Sequence, residues 1–239
     1  MNLRVGVYGG TFNPVHLGHL RAAEEVAEQL RLERVLFVPS GQPPHKPLDD
    51  DSDPLATADQ RLAWVRDAIA GNPRFELSTL EVERDGPSYL VDTLEELGHR
   101  LAPARPVFLL GRDAFQEMGG WREPRRLLTL ADFAVTTRPP TPGDAGQAPG
   151  GEAPLESLSD WLPEEVRQDV ELSADGRTAT HREAGTRIEL VGIHALDISA
   201  TALRARVRAG RSLRYLVPEV VRESIEKSGA YSAPPTQVR

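Results

Sequence analysis

The chain has 239 residues, with 28 lysines and arginines, 36 aspartates and glutamates, a formal net charge of −8 and no cysteine. A chain of this length builds a hydrophobic core without covalent crosslinks, and its length suggests one large domain or one domain plus an insertion. The absence of cysteine excludes disulfides, thiolate zinc sites, iron–sulfur ligation and cysteine nucleophiles. The acidic balance argues against general affinity for nucleic acid, because such binding needs concentrated basic residues that neutralise phosphates.

The sequence carries no pattern typical of membrane insertion or export. No apolar run reaches the roughly 18 residues that span a bilayer. The N-terminus, MNLRVGVYGG, lacks the long apolar region and the small-residue cleavage site of a signal peptide. The sequence therefore predicts a cytoplasmic protein that contacts neither membrane nor nucleic acid, and it leaves the question of a homo-oligomer open.

Short β-rich runs alternate with helical patterns along the chain. The run at 3–8 precedes a glycine-rich break, after which apolar residues recur every three or four positions from Leu17 to Leu30. A strand at 34–39 completes a β-α-β unit, whose crossover implies parallel pairing. Further strands are predicted at 75–80, 106–110, 132–136 and 187–192, and further helices at 57–70, 88–101 and 123–130. This alternation predicts a Rossmann-like α/β domain with a doubly wound parallel sheet.

One insertion interrupts the alternation. Residues 139–154, PPTPGDAGQAPGGEAP, contain five prolines and four glycines, a composition that favours a disordered loop. The residues that follow, up to about 186, are predicted to be irregular, with a helix around 162–170. We therefore expect a single domain over 1–230, with a partly disordered insertion at about 140–186, a C-terminal helical segment and a flexible tail at 231–239.

The first candidate site is GGTFNPVHLGH, residues 9–19. Gly9 and Gly10 directly follow a strand, so the backbone can turn sharply and approach a ligand. The helix that begins near Leu17 directs its N–H groups and its positive end into the same space. The spacing fits neither the G-x-G-x-x-G dinucleotide fingerprint nor the G-x-x-x-x-G-K-[ST] phosphate loop. The motif predicts an anion cradle of another kind.

Two histidines in this motif are candidates for the chemistry. His16 and His19 would share one face of the first helical turn, where two imidazoles can hydrogen-bond phosphoryl oxygens. Gly18 would keep the space between them open. The alternative for such a pair is helix capping, packing or an incidental metal site, although a metal would need further ligands.

The second candidate site is ISATALR, residues 198–204. Ser199 is a good N-cap for the following helix, and capping alone is the simpler interpretation of one serine. The hydroxyls of Ser199 and Thr201, with Arg204 one turn later, also suit a triphosphate, because an arginine can bind two oxygens at once. Two helix N-termini at the carboxyl ends of parallel strands can converge on one anionic ligand.

Together the two motifs resemble the nucleotidyltransferase superfamily with the T/H-x-G-H motif, and specifically the bacterial nicotinate mononucleotide adenylyltransferases. The resemblance extends through PPHK (43–46), PSYLVDTL (87–94), LLGRDAF (109–115), Trp121 and GRSLRYLVPEVV (210–221). It covers most of the chain except about 140–186. Each motif alone is a weak signal, whereas their order and spacing together are specific.

The resemblance implies an enzyme of NAD biosynthesis. The 5′-phosphate of nicotinate mononucleotide would attack the α-phosphorus of ATP, giving deamido-NAD and pyrophosphate, with Mg²⁺ held through the ATP phosphates and no metal ligand from the protein. This agrees with the residues, because such a transfer needs positioning and charge stabilisation rather than a protein nucleophile. His16 and His19 would be catalytic and would stabilise the α-phosphate. The implied ATP-binding residues are Gly9, Gly10, Thr11, Phe12, Ser199, Thr201 and Arg204.

The mononucleotide side rests on the resemblance alone. The implied binding residues are Lys46, Ser88, Tyr89, Leu90, Gly111, Asp113 and Trp121. The simpler alternatives are a solvated Lys46, a helix N-cap at Asp113 and a core position for Trp121. Leu90 stands where the family usually has threonine, and Ala200 where it usually has serine. If position 90 contributes only its main-chain amide, the change is harmless; if the hydroxyl matters, the preference for nicotinate over nicotinamide changes.

Two alternative functions stay open at this point. An enzyme of the same superfamily could use nicotinamide mononucleotide or phosphopantetheine as the acceptor, although Trp121 and the segment 88–94 favour a pyridine nucleotide. A non-catalytic nucleotide-binding module is the alternative from a different class. The joint presence of both histidines with Ser199, Thr201 and Arg204 argues against that module.

Overall fold

The computed structural model describes residues 3–43, 55–137 and 157–232. The strands are β1 (Arg4–Gly10), β2 (Arg34–Pro39), β3 (Phe75–Leu77), β4 (Arg105–Gly111), β5 (Asp132–Thr137), β6 (Val170–Leu172), β7 (Thr178–His181) and β8 (Arg187–Gly192). The helices are α1 (Leu17–Gln29), α2 (Ala58–Ile69), α3 (Leu90–Leu101), α4 (Arg112–Glu117), α5 (Pro124–Leu130), α6 (Glu164–Arg167), α7 (Ala200–Arg208) and α8 (Glu219–Ser228). In these ranges, no helix is both long and apolar enough to cross a membrane.

The eight strands form one sheet in the order β3-β2-β1-β4-β5-β8-β7-β6. Pairing is parallel between β2 and β3 and along β1, β4, β5 and β8, whereas β7 pairs in the antiparallel sense with both β8 and β6. The strand order reverses at β1, because β2 and β3 extend the sheet on one side and β4 and β5 on the other. This reversal is the topology of a doubly wound sheet. The predicted Rossmann-like α/β class is confirmed, with an antiparallel edge added to it.

The chain divides into two compact units. The first unit comprises Met1–Tyr8, Ala22–Glu33 and Leu90–Ala195. Its core consists of apolar side chains on successive parallel strands, where β-branched residues fit the pleated surface. Fully buried members of this core include Val5, Val7, Val107, Ala134 and Val135.

The second unit comprises Gly9–Arg21, Arg34–Tyr89 and Leu196–Arg239. Its helices α2 and α8 pack against each other. The indole N–H of Trp64 on α2 donates to the hydroxyl of Ser224 on α8 (2.9 Å), so the largest buried ring of the unit also has its polar atom paired. This unit contains both candidate motifs, residues 9–19 and 198–204.

The insertion contains more regular structure than the sequence predicts. The helix expected at 162–170 is the single turn α6, and β6 and β7 form an antiparallel pair in which Val170 faces His181. These strands have three and four residues, too few for a period of two to stand out in the sequence. Residues 138–156, which include the predicted disordered loop, lie outside the described residues.

The C-terminal segment continues further than expected. Tyr231, at the start of the predicted tail, is 6% exposed. Its hydroxyl donates to Oδ1 of Asn13 (2.6 Å), and its ring centroid lies 5.9 Å from that of Trp64. Tyr231 therefore belongs to the folded second unit, and the boundary of any tail moves beyond it; residues 233–239 lie outside the described residues.

Candidate active site

The two histidines of the first motif lie against each other at the start of α1. Their ring centroids are 3.6 Å apart, with the ring planes inclined by 28°. The main-chain N–H of His16 donates to Nδ1 of His19 (3.2 Å), so the neutral ring of His19 carries its proton on Nε2. The ring of Phe12 packs edge-on against His19 at a centroid distance of 5.1 Å. The structure thus assembles the pair that the spacing suggests and fixes the tautomer of one member.

The ring of His16 is buried and leaves one polar atom unpaired within the part of the chain that the structure describes. It is 6% exposed, and its Nδ1 is a buried atom with no hydrogen-bond partner among the described residues. Most buried polar atoms are paired, and an exception marks a strained or functional group. A Cβ added to Gly18 would lie 3.0 Å from this Nδ1 and 3.1 Å from Cε1. Gly18 therefore provides room for the His16 ring, rather than an open space between the two histidines.

Burial determines the charge of this pair. Desolvation lowers the pKa of His16 to about 4. Desolvation, with a smaller contribution from the neighbouring His16, lowers the pKa of His19 well below its usual value. Both imidazoles are therefore neutral at pH 7, each with one N–H to donate. A bound anion would favour the protonated form and raise both pKa values again.

This electrostatic state predicts how stability depends on pH. Because the folded-state pKa of His16 lies below the unfolded value of about 6.5, the unfolded chain binds the proton first, and stability is lost as pH falls from about 6.5 toward 4. The slope is at most about 1.4 kcal/mol per pH unit for each such histidine. Urea unfolding between pH 7 and pH 5 should show a shallower loss for His16→Asn than for the wild type. Equal slopes would contradict a neutral, buried His16.

The loop between β1 and α1 has its own packing requirement. Phe12 adopts a positive φ of 49° and is 3% exposed, and its ring packs against Phe37 at a centroid distance of 5.8 Å. A Cβ added to Gly10 would lie 3.2 Å from Cζ of Phe12. The sequence suggested that Gly10 lets a ligand approach, and the structure adds that it makes room for the Phe12 ring.

The second motif is anchored on the first. Ser199 is the N-cap of α7, and its Oγ accepts from the N–H of Ala202 (3.2 Å). Arg204 is 1% exposed and donates to the carbonyl of Asn13 (2.7 Å) and to Oγ1 of Thr201 (3.1 Å). Ser199 and Thr201 are themselves exposed. The sequence assigned Arg204 to the phosphates of ATP, whereas in the structure its guanidinium donates to groups of the protein and joins the two motifs.

The N-terminus of α1 is only partly available to a ligand. The N–H of Leu17 donates to the carbonyl of Leu216 (3.0 Å). The N–H groups of His19 and Leu20 both donate to the carbonyl of His16, at 3.0 and 3.3 Å. Three of the N–H groups of residues 17–20 are therefore paired within the protein. Fewer main-chain donors are available to an anion here than the sequence suggests.

Two residues assigned to the mononucleotide lie in the second unit. Ser88 is 6% exposed, and its N–H donates to the carbonyl of Gln42 (3.0 Å). Its hydroxyl donates a long hydrogen bond to the carbonyl of Glu81 (3.5 Å). Tyr89 follows it and is half-buried. Lys46, also assigned to the mononucleotide, lies outside the described residues.

The other residues of this group lie in the first unit. Leu90 begins α3, and Gly111 ends β4 and is the N-cap of α4. Asp113 lies in the first turn of α4 rather than at its N-cap, and its side chain is 90% exposed. Trp121 is half-buried, and its main-chain N–H donates to the carbonyl of Met118 (3.0 Å). Asp113 is therefore not a helix N-cap, and Trp121 is not a fully buried core residue. The assignment of both residues to the mononucleotide stays a prediction.

Two residues that connect the first motif to other segments by hydrogen bonds, Asn13 and Arg61, were not identified from the sequence. Oδ1 of Asn13 accepts from the N–H of Ala56 (3.0 Å) as well as from Tyr231, and Arg61 donates to the carbonyl of Thr11 (2.8 Å). The missed signal was the position of Arg61 on the buried stripe of α2. That stripe consists of Arg61, Trp64, Val65 and Ile69. A charged side chain on an apolar stripe indicates a specific partner.

Comparison with known proteins identifies relatives that match nearly the full length of the chain. A family model described as cytidylyltransferase-like matches residues 7–206. A protein of Thermomicrobium roseum is 38% identical over 228 residues, which cover 95% of this chain and 91% of the relative. A protein of Marinobacter nauticus is 42% identical over 234 residues, which cover 97% and 98%. Both carry the name "Probable nicotinate-nucleotide adenylyltransferase".

Solved structures share the fold. A Plasmodium falciparum nicotinic acid mononucleotide adenylyltransferase complexed with NaAD aligns with a TM-score of 0.67 and 15% identity, over 96% of this chain and 98% of that chain. A structure of the same protein complexed with APC gives a TM-score of 0.65. At this identity the likeness concerns the fold alone. The family model and the curated relatives show that the chain belongs to the cytidylyltransferase-like family and, within it, to the nicotinate-nucleotide adenylyltransferases, which confirms the resemblance seen in its motifs.

Proposed function

We propose that this protein transfers the adenylyl group of ATP to nicotinate mononucleotide in NAD biosynthesis. The observation that carries the proposal is the neutral, stacked pair of His16 and His19, on a loop to which the second motif is anchored through Arg204. A new bond forms between a 5′-phosphate oxygen and the α-phosphorus of ATP. The bond from the α-phosphorus to the bridging oxygen breaks, and its electron pair leaves with pyrophosphate.

The histidines suit a reaction in which charge develops on phosphate oxygens. Each neutral ring has one N–H, which for His19 is on Nε2. These two N–H groups can donate hydrogen bonds to the α-phosphate, and no proton transfer is needed beforehand. Donors that are already oriented stabilise developing charge at little reorganisation cost. Because the mononucleotide phosphate is itself the nucleophile, the protein needs to supply positioning and donors only.

We further propose that the exposed groups of the two motifs bind ATP, that Arg204 positions these groups through its hydrogen bonds to Asn13 and Thr201, and that Mg²⁺ enters bound to ATP. Among the described residues, no group of three His, Asp or Glu side chains could hold a metal ion. Mg²⁺ on the phosphates would neutralise part of their charge. The exposed hydroxyls of Ser199 and Thr201 and the backbone of residues 9–12 are the groups that we assign to the nucleotide. We assign the reaction to the cytoplasm.

The acceptor is the least constrained part of the proposal. The assigned residues are Lys46, Ser88, Tyr89, Leu90, Gly111, Asp113 and Trp121. Leu90 begins α3 with no side-chain hydroxyl, so a helix-terminal N–H is the donor that position 90 can offer to a carboxylate. The names of the curated relatives, which cover almost the full chain, favour the nicotinate form.

Pyrophosphate release with ATP and Mg²⁺ tests the function when each acceptor is supplied alone. We expect strong release with nicotinate mononucleotide and little with nicotinamide mononucleotide or phosphopantetheine. A clear preference for the amide would overturn the substrate assignment. A protein that binds ATP but releases no pyrophosphate with any of the three acceptors would either use another acceptor or be a non-catalytic nucleotide-binding module.

A further inference from the structure

Arg61, in the second unit, is a buried cation whose side chain donates hydrogen bonds to main-chain carbonyls. The side chain is 1% exposed. Its Nε donates to the carbonyl of Ala56 (3.1 Å) and its Nη2 to that of Gly41 (2.9 Å), while Nη1 donates to the carbonyls of Thr11 (2.8 Å) and Ser40 (2.6 Å). Four of the five guanidinium N–H groups are thus used, and each described acceptor is a main-chain oxygen. One side chain ties together three stretches of backbone that are distant in sequence.

Two of these stretches follow strands that are neighbours in the sheet, β1 and β2. Thr11 lies directly after β1 inside GGTFNPVHLGH, and Ser40 and Gly41 follow β2. The N–H of Ser40 also donates to the carbonyl of Gly10 (2.9 Å). The two post-strand segments are therefore joined once directly and once through Arg61, at the strand ends where ligands bind in this fold class.

Holding a carbonyl also orients the next N–H group. Because the peptide unit is planar, the carbonyl of Thr11 and the N–H of Phe12 point in opposite directions. With the oxygen of Thr11 bound by Arg61, the direction of that N–H is fixed. Phe12 has a positive φ of 49°, a conformation that persists in a residue with a side chain only where its surroundings enforce it. Arg61 is one of the groups that enforce it.

The contacts require the shape of a guanidinium as well as its charge. Burial lowers the pKa of Arg61, with Tyr231 and Glu81 opposing this effect, and an arginine stays protonated in any case. The planar fork directs donors along several fixed directions. A lysine ammonium at the same place could reach one or two of the four carbonyls, and the others would lose their donor.

We propose that Arg61 is a positioning residue for adenylyl transfer, which sets the peptide planes after β1 and β2 for the phosphates of ATP without touching the substrate. The geometry of the four carbonyls carries this inference, and its catalytic part rests on the function proposed above. Binding of ATP needs no acceptor. It therefore provides a test that is independent of the identity of the second substrate.

The test compares Arg61→Lys and Arg61→Ala with two controls on the same helix. Arg66→Lys alters an exposed arginine, and Ile69→Val alters a buried side chain that touches neither loop through a hydrogen bond. For Arg61→Lys we expect ATP affinity and kcat each to fall by about 10- to 100-fold, because small displacements of a site have effects of this size. The KM for the mononucleotide should stay within about twofold, and both controls should retain their activity per folded molecule.

Chemical rescue separates positioning from general stability. Guanidinium ion at a concentration that does not denature the protein should restore a measurable part of ATP binding to Arg61→Ala, because the ion can reoccupy the space between the carbonyls. Sodium chloride at equal concentration should restore none. The wild type and Arg66→Lys should not gain from guanidinium.

Several outcomes would overturn the proposal. If Arg61→Lys retains wild-type ATP affinity and kcat, the site does not require a guanidinium that binds all four carbonyls. A loss of activity that follows thermal stability alike in Arg61→Lys and Ile69→Val, or a failure of Arg61→Lys to fold, would assign the residue to stability alone. If Arg61→Ala does not fold, Arg61→Lys decides. If the wild type binds ATP but shows no turnover, the proposed function is wrong. The ATP affinities of Arg61→Lys and the wild type would still show whether Arg61 positions the ATP site.

Discussion

Replacing His19 with alanine should lower kcat for pyrophosphate release by about 10²- to 10³-fold, the usual cost of losing one oriented transition-state donor. The ring carries its proton on Nε2, because Nδ1 accepts from the N–H of His16. Removal of the ring deletes that donor and leaves the His16 N–H without this acceptor. The KM for ATP should change less than kcat, since the donor acts mainly as charge develops.

Two amide variants separate the roles of the ring nitrogens. His19→Asn retains an acceptor near the position of Nδ1, whereas His19→Gln can place an N–H near that of Nε2. If donation to the α-phosphate dominates, the Gln variant should be the more active of the two. His99→Ala on α3 alters an exposed histidine and should leave kcat unchanged. Near-normal turnover in His19→Ala would remove this residue from the mechanism.

The parts of the site that sequence could predict are those encoded by local spacing. His16 and His19 meet because they lie three positions apart at the start of a helix, and Ser199 caps α7 because a serine precedes the helical run there. The Rossmann-like class followed from alternating strand and helix patterns. Each of these inferences needs no knowledge of which distant segments touch.

The parts that sequence missed depend on long-range partners. The hydrogen bond from Tyr231 to Asn13 joins residues 218 positions apart, and no local pattern encodes it. The sequence assigns Arg204 to phosphate because it is a two-pronged donor one turn after Ser199, but spacing does not reveal that its guanidinium donates to the carbonyl of Asn13. The short strands β6 and β7 fall below the length at which periodicity is informative. Tertiary contacts decide such features.

Replacing Gly18 with alanine should lower kcat/KM for ATP by about 10- to 100-fold, although glycine is a poor helix former. The added Cβ would lie 3.0 Å from Nδ1 of His16 and 3.1 Å from its Cε1, while the carbonyl of Ile198 at 3.8 Å is an ordinary contact. The His16 ring must therefore shift by a few tenths of an ångström or more. Because this ring stacks on His19 at 3.6 Å, both donors would move together.

Gly98→Ala provides the matched control. Gly98 also lies inside a helix, α3, and an added Cβ there would meet nothing within 4 Å. Its replacement should raise the free energy of unfolding by about 0.5 to 1 kcal/mol and leave kcat/KM unchanged. Both variants exchange glycine for alanine within a helix, and of the two added Cβ atoms only the one at Gly18 would meet a neighbouring side chain, so a loss of activity confined to Gly18→Ala comes from the contact with His16. Equal activity in both would mean that the observed position of the His16 ring does not matter for catalysis, whereas a loss confined to Gly18→Ala would tie turnover to that position.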